Sequence, residues 1–372
     1  MIRVGGPWMD ADEVREVLDA LESGWIARGE KVSTFERDLA AAVGVPHARA
    51  LASGTAALEA VLRALDVSGR EVVTTAASCV ATVNAILHAG ARPIFVDVEP
   101  DTSNMRADEM VRVLSPRTAA VVVVHLYGRP ADLGPMLEAT RARGIPLVED
   151  AAQALGACWN GRSVGSVGTA GVFSFYANKM ITTAEGGAVV TSRAVLARRI
   201  EAIRDHGQAP GRRFYHTEFG HNFKLSNLHA ALGVAQLRKL GAAMERRRAN
   251  AAMLTALLAD VQGLTLPVQR EGMRDAHFAY TLVTSSRRVR DALAAHLAAR
   301  GIESRPMFGP MSDQPFYRRL FGRPRRDFPE ARRLGARGLY VGCWPGLEKA
   351  DIERIAEAVR EGMRLLGRRR PR

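Results

Sequence analysis

Two hydrophobic spacings alternate along the first two-thirds of the chain. Apolar residues recur at helical intervals over residues 10–22, 33–43 and 55–65, and further helical patterns lie between the later strands. Short β-branched or apolar runs at 48–53, 71–74, 93–96, 119–125, 145–149, 171–175 and 187–191 read as strands. This alternation predicts an α/β unit with a mainly parallel sheet over 10–240. Ser33-Thr-Phe-Glu36 reads as a capping box for the second helix.

A long heptad-like helix over 227–258 then carries the chain into a different pattern, with the charged run Glu245-Arg-Arg-Arg248 expected on its solvated face. Strands near 279–284 and 303–305 bracket a helix at 288–300, a proline- and aromatic-rich loop covers 307–328, and helices close the chain. Residues 241–372 are therefore expected to form a smaller α+β C-terminal domain, with residues 1–9 against it.

Composition narrows the class. The 372 residues are enough for two domains, and 47% hydrophobic content is ordinary for a globular protein. The longest apolar run, 119–124, is too short to cross a bilayer, and the first residues lack a leader pattern. No membrane association is expected. Three cysteines without metal-like spacing suggest reduced thiols, a cytoplasmic location and no metal. The 52 Lys+Arg against 39 Asp+Glu give a net charge of +13, which raises the question of nucleic acid. Yet the basic clusters at 246–248, 323–326 and 368–372 fall on helix flanks, a loop and the chain end, without any nucleic-acid-binding motif. No nucleic-acid partner is expected; the field suits small anionic substrates.

Only five of those cations are lysines: Lys31, Lys179, Lys224, Lys239 and Lys349. Lys179 ends the apolar, aromatic run Gly171-Val-Phe-Ser-Phe-Tyr-Ala-Asn-Lys179, where desolvation lowers an amine's pKa and frees a nucleophile. A strand-end lysine with its head in water is the competing reading. Ala52-Ser-Gly-Thr-Ala-Ala-Leu58 suits a phosphate at a helix N-terminus, with the Thr55 hydroxyl as an extra donor, or is an ordinary capped turn. Asp150, after an apolar strand, either pairs with a pyridinium N–H or caps the next helix; Gln153 lies one turn on. Ser174 would donate to the same phosphate as Thr55.

These segments, in order, resemble the DegT/DnrJ/StrS family of sugar aminotransferases, of the PLP-dependent transferase fold type I (aspartate aminotransferase-like). The resemblance also covers Ser23-Gly-Trp-Ile-Ala-Arg-Gly29, Pro93-Ile-Phe-Val-Asp97, Val124-His-Leu-Tyr-Gly128 and Gly220-His-Asn-Phe-Lys-Leu-Ser-Asn-Leu-His-Ala-Ala-Leu-Gly233, essentially the whole length. Phe-Tyr-Ala-Asn-Lys179, Arg204-Asp-His-Gly207 and Tyr215-His216 incline it toward the GDP-perosamine synthase branch. The resemblance implies pyridoxal 5'-phosphate (PLP/PMP) as cofactor and a homodimer with active sites at the interface. It implies transfer of an amino group from an amino acid, L-glutamate, to a keto-sugar linked to a nucleotide diphosphate. By position, Lys179 matches the Schiff-base lysine, Asp150 the partner of the pyridine nitrogen and Gln153 the residue near the ring oxygen. Gly54, Thr55, Ala56 and Ser174 match the phosphate cup, and Asn222 the asparagine reaching across from the other subunit.

Two positions depart from the family pattern. Cys79 stands where an aromatic usually stacks on the cofactor ring, and Ser312 where a substrate-side histidine is frequent. They bear on the substrate more than on the reaction, so a keto-cyclitol acceptor is the alternative. A non-catalytic regulator keeping the fold is the alternative of another class. A deoxygenating sub-branch carries histidine in place of the lysine, and Lys179 argues against it.

Overall fold

The computed structural model describes residues 1–323 and 326–368. The chain begins with α1 (Ala11–Glu22), α2 (Glu30–Val43), β1 (His47–Leu51) and α3 (Gly54–Ala64). It continues through β2 (Glu71–Thr75), α4 (Val80–His88), β3 (Arg92–Val96), α5 (Ala107–Val113), β4 (Thr118–Val124), α6 (Leu133–Arg141) and β5 (Leu147–Asp150). After the short β6 (Cys158–Trp159) and β7 (Arg162–Ser163) come β8 (Ala170–Ser174), β9 (Gly187–Thr191) and α7 (Ala194–Arg204).

A seven-stranded sheet has the order β1-β9-β8-β5-β4-β2-β3, with β9 antiparallel to both neighbours and the other pairings parallel. Alternate residues feed opposite faces. Val72, Val122, Val148 and Val172 pack with Leu58, Val61 and Leu62 of α3 and Ile200 of α7. Val73, Val121 and Val123 pack with Met110 of α5 and Met136 of α6. Every residue of β4 is buried, as a central strand covered on both faces requires.

The second part holds α8 (Asn227–Arg238), α9 (Leu240–Leu258), β10 (Leu264–Thr265), β11 (Met273–Arg274), β12 (Tyr280–Thr284), α10 (Arg287–Ala299) and β13 (Arg305–Pro306). There follow α11 (Pro315–Phe321), α12 (Pro329–Arg337), β14 (Gly338–Val341) and α13 (Lys349–Arg368). Here the sheet order is β10-β12-β14-β13, all antiparallel, while β11 joins β6 and β7. Ile2 pairs with Ile302, and Trp344 Nε1 donates to the Arg3 carbonyl.

Several local expectations change. The second helix starts at Glu30 behind Gly29, so Ser33 and Glu36 form no capping box; Glu36 instead accepts the Ala50 N–H and pairs with buried Arg204. The capping box belongs to α1, between Asp10 and Glu13. The long helix is two helices that meet at Lys239. Its charged run is not one solvated face, because Arg247 is only 1% exposed. The loop after Met307 contains α11, which starts on Pro315, a residue suited to a first helical turn. Phe95 of the edge strand β3 packs against Tyr317 and Phe328, with centroids 5.0 and 6.1 Å away. Asp97 then caps α12 by accepting the N–H groups of Glu330 and Ala331, each at 2.9 Å. The basic tail 369–372 and residues 324–325 lie outside the described residues.

Candidate active site

The C-terminal ends of the parallel strands, where open α/β sheets bind ligands, surround a cavity of about 330 Å³. Ser53, Gly54 and Thr55 follow β1, Ser78 and Cys79 follow β2, Asp150 ends β5, and Ser174 ends β8. Lys179, Phe278, Arg305, Phe308 and Tyr340 complete the wall.

The turn into α3 is built for close approach. Ser53 caps the helix by accepting the Ala56 N–H at 3.1 Å, which leaves the N–H groups of Gly54 and Thr55 at the open helix end. A Cβ on Gly54 would lie 2.8 Å from Ser174 Cβ, so glycine is what lets the turn and the Ser174 hydroxyl share one corner. Gly187 admits the same turn from β9, since a Cβ there would meet Ser53 at 2.4 Å. Ala56 lies behind this corner, buried and off the cavity wall.

Asp150 is 5% exposed and accepts two hydrogen bonds, from Thr82 Oγ1 at 2.8 Å and the Ala152 N–H at 3.2 Å. Burial pushes its carboxyl above the usual range; Thr82, the Ala152 N–H and Lys179 oppose the shift without cancelling it. Gln153 Oε1 accepts the Tyr127 N–H at 2.8 Å, which turns its amide N–H₂ toward the cavity. Lys179 closes a turn through its N–H to the Tyr176 carbonyl, and its Nζ lies 4.9 Å from the Phe278 ring centroid. Burial lowers the amine's pKa, with Cys79 and Asp150 pulling the other way. The lysine is therefore aimed inward, and the water-facing reading fails.

Cys79 is exposed at the cavity mouth. Ser312 does not reach the cavity: it is fully buried and its hydroxyl has no partner among the described residues. The neighbouring main chain explains why, because Met311 N–H donates to the Ala76 carbonyl and pins this segment behind the wall. Asn222 is exposed, bridged to Asp205, and is not part of its own chain's cavity.

Sequence reading missed Thr82, Phe278, Arg305 and Tyr340. Thr82 carried a signal, one helical turn beyond Cys79 on a helix that starts at the strand end. Arg305 and Tyr340 come from the second sheet and Phe278 from the segment just before β12, and only the tertiary fold brings them to the cavity. Arg305 is oriented by Glu303, whose Oε1 accepts from Arg305 Nε at 3.0 Å and Nη2 at 2.9 Å. Glu303 Oε2 is in turn fixed by the Val4 N–H at 3.0 Å.

Among the described residues no helix is long and apolar enough to cross a membrane. The profile of the DegT/DnrJ/EryC1/StrS aminotransferase family matches residues 7–360. GDP-perosamine synthase of Caulobacter vibrioides is 35% identical over 363 residues, 96% of this chain and 97% of that protein. The crystal structure of the aminotransferase TlmJ from Streptoalloteichus hindustanus aligns with a TM-score of 0.93 at 34% identity, covering 99% of this chain and 100% of that one. The PLP-form of a putative sugar aminotransferase, Spr1654 from Streptococcus pneumoniae, aligns with a TM-score of 0.93 at 26% identity, covering 98% and 99%.

Proposed function

The chain belongs to the DegT/DnrJ/EryC1/StrS aminotransferase family and is a PLP-dependent transaminase; from that premise we propose that it moves an amino group from L-glutamate to a keto-sugar carried on a nucleoside diphosphate. One observation carries the reading: the Lys179 amine, the Asp150 carboxyl and the open helix end at Gly54 line a single cavity. The similarity to GDP-perosamine synthases supports the nucleotide-linked acceptor.

The residues present fit the cofactor. Gly54 leaves room that a Cβ would fill, Asp150 has unused acceptor capacity, and Lys179 presents an amine from the opposite wall. The N–H groups of Gly54 and Thr55 and the hydroxyls of Thr55 and Ser174 would hold the phosphate. Asp150 would accept from the ring nitrogen, Gln153 would donate to the ring oxygen, and Cys79 would lie near a ring face. When bound, the group supplies a carbonyl for the amine and a ring that draws electrons from the substrate's α-carbon.

Lys179 would hold the cofactor at rest and, once displaced by the donor's amine, its Nζ would take the proton from the donor α-carbon as base and give it back as acid. Asp150 would keep the ring nitrogen protonated. Arg305, held along one edge by Glu303, offers its remaining N–H groups to the donor's carboxylate. Exposed Asn222 would serve the phosphate of a second subunit. A dimer covering Trp25, Phe214 and Phe219, which are 69%, 79% and 80% exposed, would bury the large apolar surface nearby.

Borohydride reduction of the cofactor-loaded protein and peptide mapping should give a pyridoxyl adduct on Lys179. An adduct on any other lysine, or none, sinks the assignment. Glutamate assayed with a panel of nucleotide-linked keto-sugars and keto-cyclitols tests the acceptor, and turnover of free cyclitols alone would overturn the nucleotide-sugar reading.

A further inference from the structure

Arg247 is a buried cation without an acidic partner. It is 1% exposed, no carboxylate lies within ion-pair distance among the described residues, and its Nε has no hydrogen-bond partner. Its neighbours on α9 behave conventionally: Arg246 pairs with Glu348 at 3.0 Å and Arg248 donates to the Gly156 carbonyl at 2.9 Å. Arg247 instead meets three main-chain carbonyls. Nη2 donates to Lys179 O at 3.4 Å, while Nη1 donates to His277 O at 3.2 Å and lies 3.5 Å from Phe278 O.

Those carbonyls belong to the two segments that set the reactive amine. Lys179 supplies the amine, and Phe278 supplies the ring 4.9 Å from it. His277 sits at φ 49°, in the left-handed region that is uncommon for a non-glycine residue, and its carbonyl also accepts from Cys343 Sγ at 3.1 Å. We propose that Arg247 is a positioning residue: its guanidinium ties the main chain carrying Lys179 to the main chain carrying Phe278, and so fixes the amine against its aromatic wall.

A planar fork with five donors can bridge convergent carbonyls, which a single-point ammonium does less well. Burial lowers the Arg247 guanidinium to about 10, with Cys343 opposing, so it stays charged at neutral pH. Asp150 and Cys79 face the amine across the cavity and favour its ammonium form. Glu185, Arg305 and Tyr340 line the same cavity. Behind the amine stand Lys239, paired with Asp10 and Glu13, and Arg247.

The inference rests on Lys179 as the cofactor lysine, and its test is separable from that reading. The full-length, cofactor-free chain labelled with ¹³C at lysine Cε gives five resonances, with Lys179 assigned by its loss in Lys179→Arg. In Arg247→Met, release of the main chain admits water to the amine and relieves the desolvation that lowers it, so the Lys179 midpoint should rise by about one pH unit. Capture of added pyridoxal phosphate, followed by absorbance, should slow about tenfold, because the amine is both less neutral and less fixed. Arg247→Lys, which keeps the charge but not the fork, should fall between the two. Should Arg247→Met fail to fold, Arg247→Lys decides alone. An unmoved Lys179 midpoint and capture rate in every folded variant overturns the proposal. A borohydride adduct elsewhere would instead remove the premise while leaving the titration result standing.

Discussion

Glu149 and Asp150 are consecutive on β5, both carboxylates and both buried, yet opposite in electrostatic character. Glu149 faces the 164–168 loop and accepts the N–H groups of Gly165, Val167 and Gly168 at 2.7, 2.8 and 2.6 Å. His125 lies 3.0 Å from it through Nε2; because His125 Nδ1 accepts the Ala131 N–H, Nε2 carries the proton and donates to the carboxylate. Burial works to raise the Glu149 pKa, but these donors outweigh it and hold the carboxyl below its usual range. Asp150 accepts two hydrogen bonds and is raised. Burial alone therefore does not mark a chemical carboxylate. The number of acceptor positions left unfilled does, because a saturated acceptor is architecture and an unsaturated one waits for a ligand.

Four substitutions test this contrast, from the largest effect down. Asp150→Asn should lower kcat roughly 100- to 1,000-fold, the cost of removing one electrostatic partner of a developing charge. Its cofactor-free fold should survive, and the sign follows from linkage. A carboxyl raised by folding loses stability as pH climbs from about 3.9 through its folded value, so the variant should gain on the wild type toward neutral pH. Urea unfolding at pH 4 and pH 7 checks this; a variant destabilised at pH 7 would erase the contrast.

Glu149→Ala leaves four donors unpaired, three of them fully buried, and should cost about 3–5 kcal/mol in urea unfolding. With the folded value depressed, the wild-type contribution is complete above about pH 4.3 and is lost as pH falls through that lower value. A mild effect at pH 7 would show that the loop finds other partners.

Arg305 repeats the comparison with the charge reversed, since Glu303 fills one edge and leaves the rest open. Arg305→Gln should raise KM for glutamate about 10- to 100-fold, the range for a charge-assisted pair, and spare the acceptor's KM. An equal rise for both substrates would move Arg305 to the nucleotide diphosphate. Cys79→Phe is the mildest, tightening cofactor binding about 3- to 10-fold if an aromatic regains stacking on the ring. Weaker binding would show that the mouth has no room for a ring.

The large sheet was legible because β4 is a nearly continuous apolar run and its neighbours are short, largely β-branched segments between helical patterns, and Lys179 because its setting is apolar while lysine is scarce. Gly54, Asp150 and Ser174 were legible because strand ends and glycine turns leave local signatures. Arg247 was not: Glu245-Arg-Arg-Arg248 has the composition of a solvated stripe, and only the convergence of three distant carbonyls distinguishes one arginine from its neighbours. Ser312 failed for a related reason, since a bridge between Ala77 and Pro310 moves it out of reach of the cavity. The helix break at Lys239 follows from packing, where Lys239 turns to Asp10 and Glu13.

The aromatic cover over β3 has a consequence beyond catalysis. A sheet that ends in an unpaired strand can recruit the matching strand of another molecule, and sheets grown that way do not stop. Tyr317 and Phe328 sit over Phe95 where such recruitment would begin, and the two hydrogen bonds to Asp97 latch the segment that holds Phe328 in place. Asp97→Ala would thus act as a shelf-life mutation. Fresh protein should bind cofactor normally, while stored solutions scatter light in proportion to concentration as bare edges find one another.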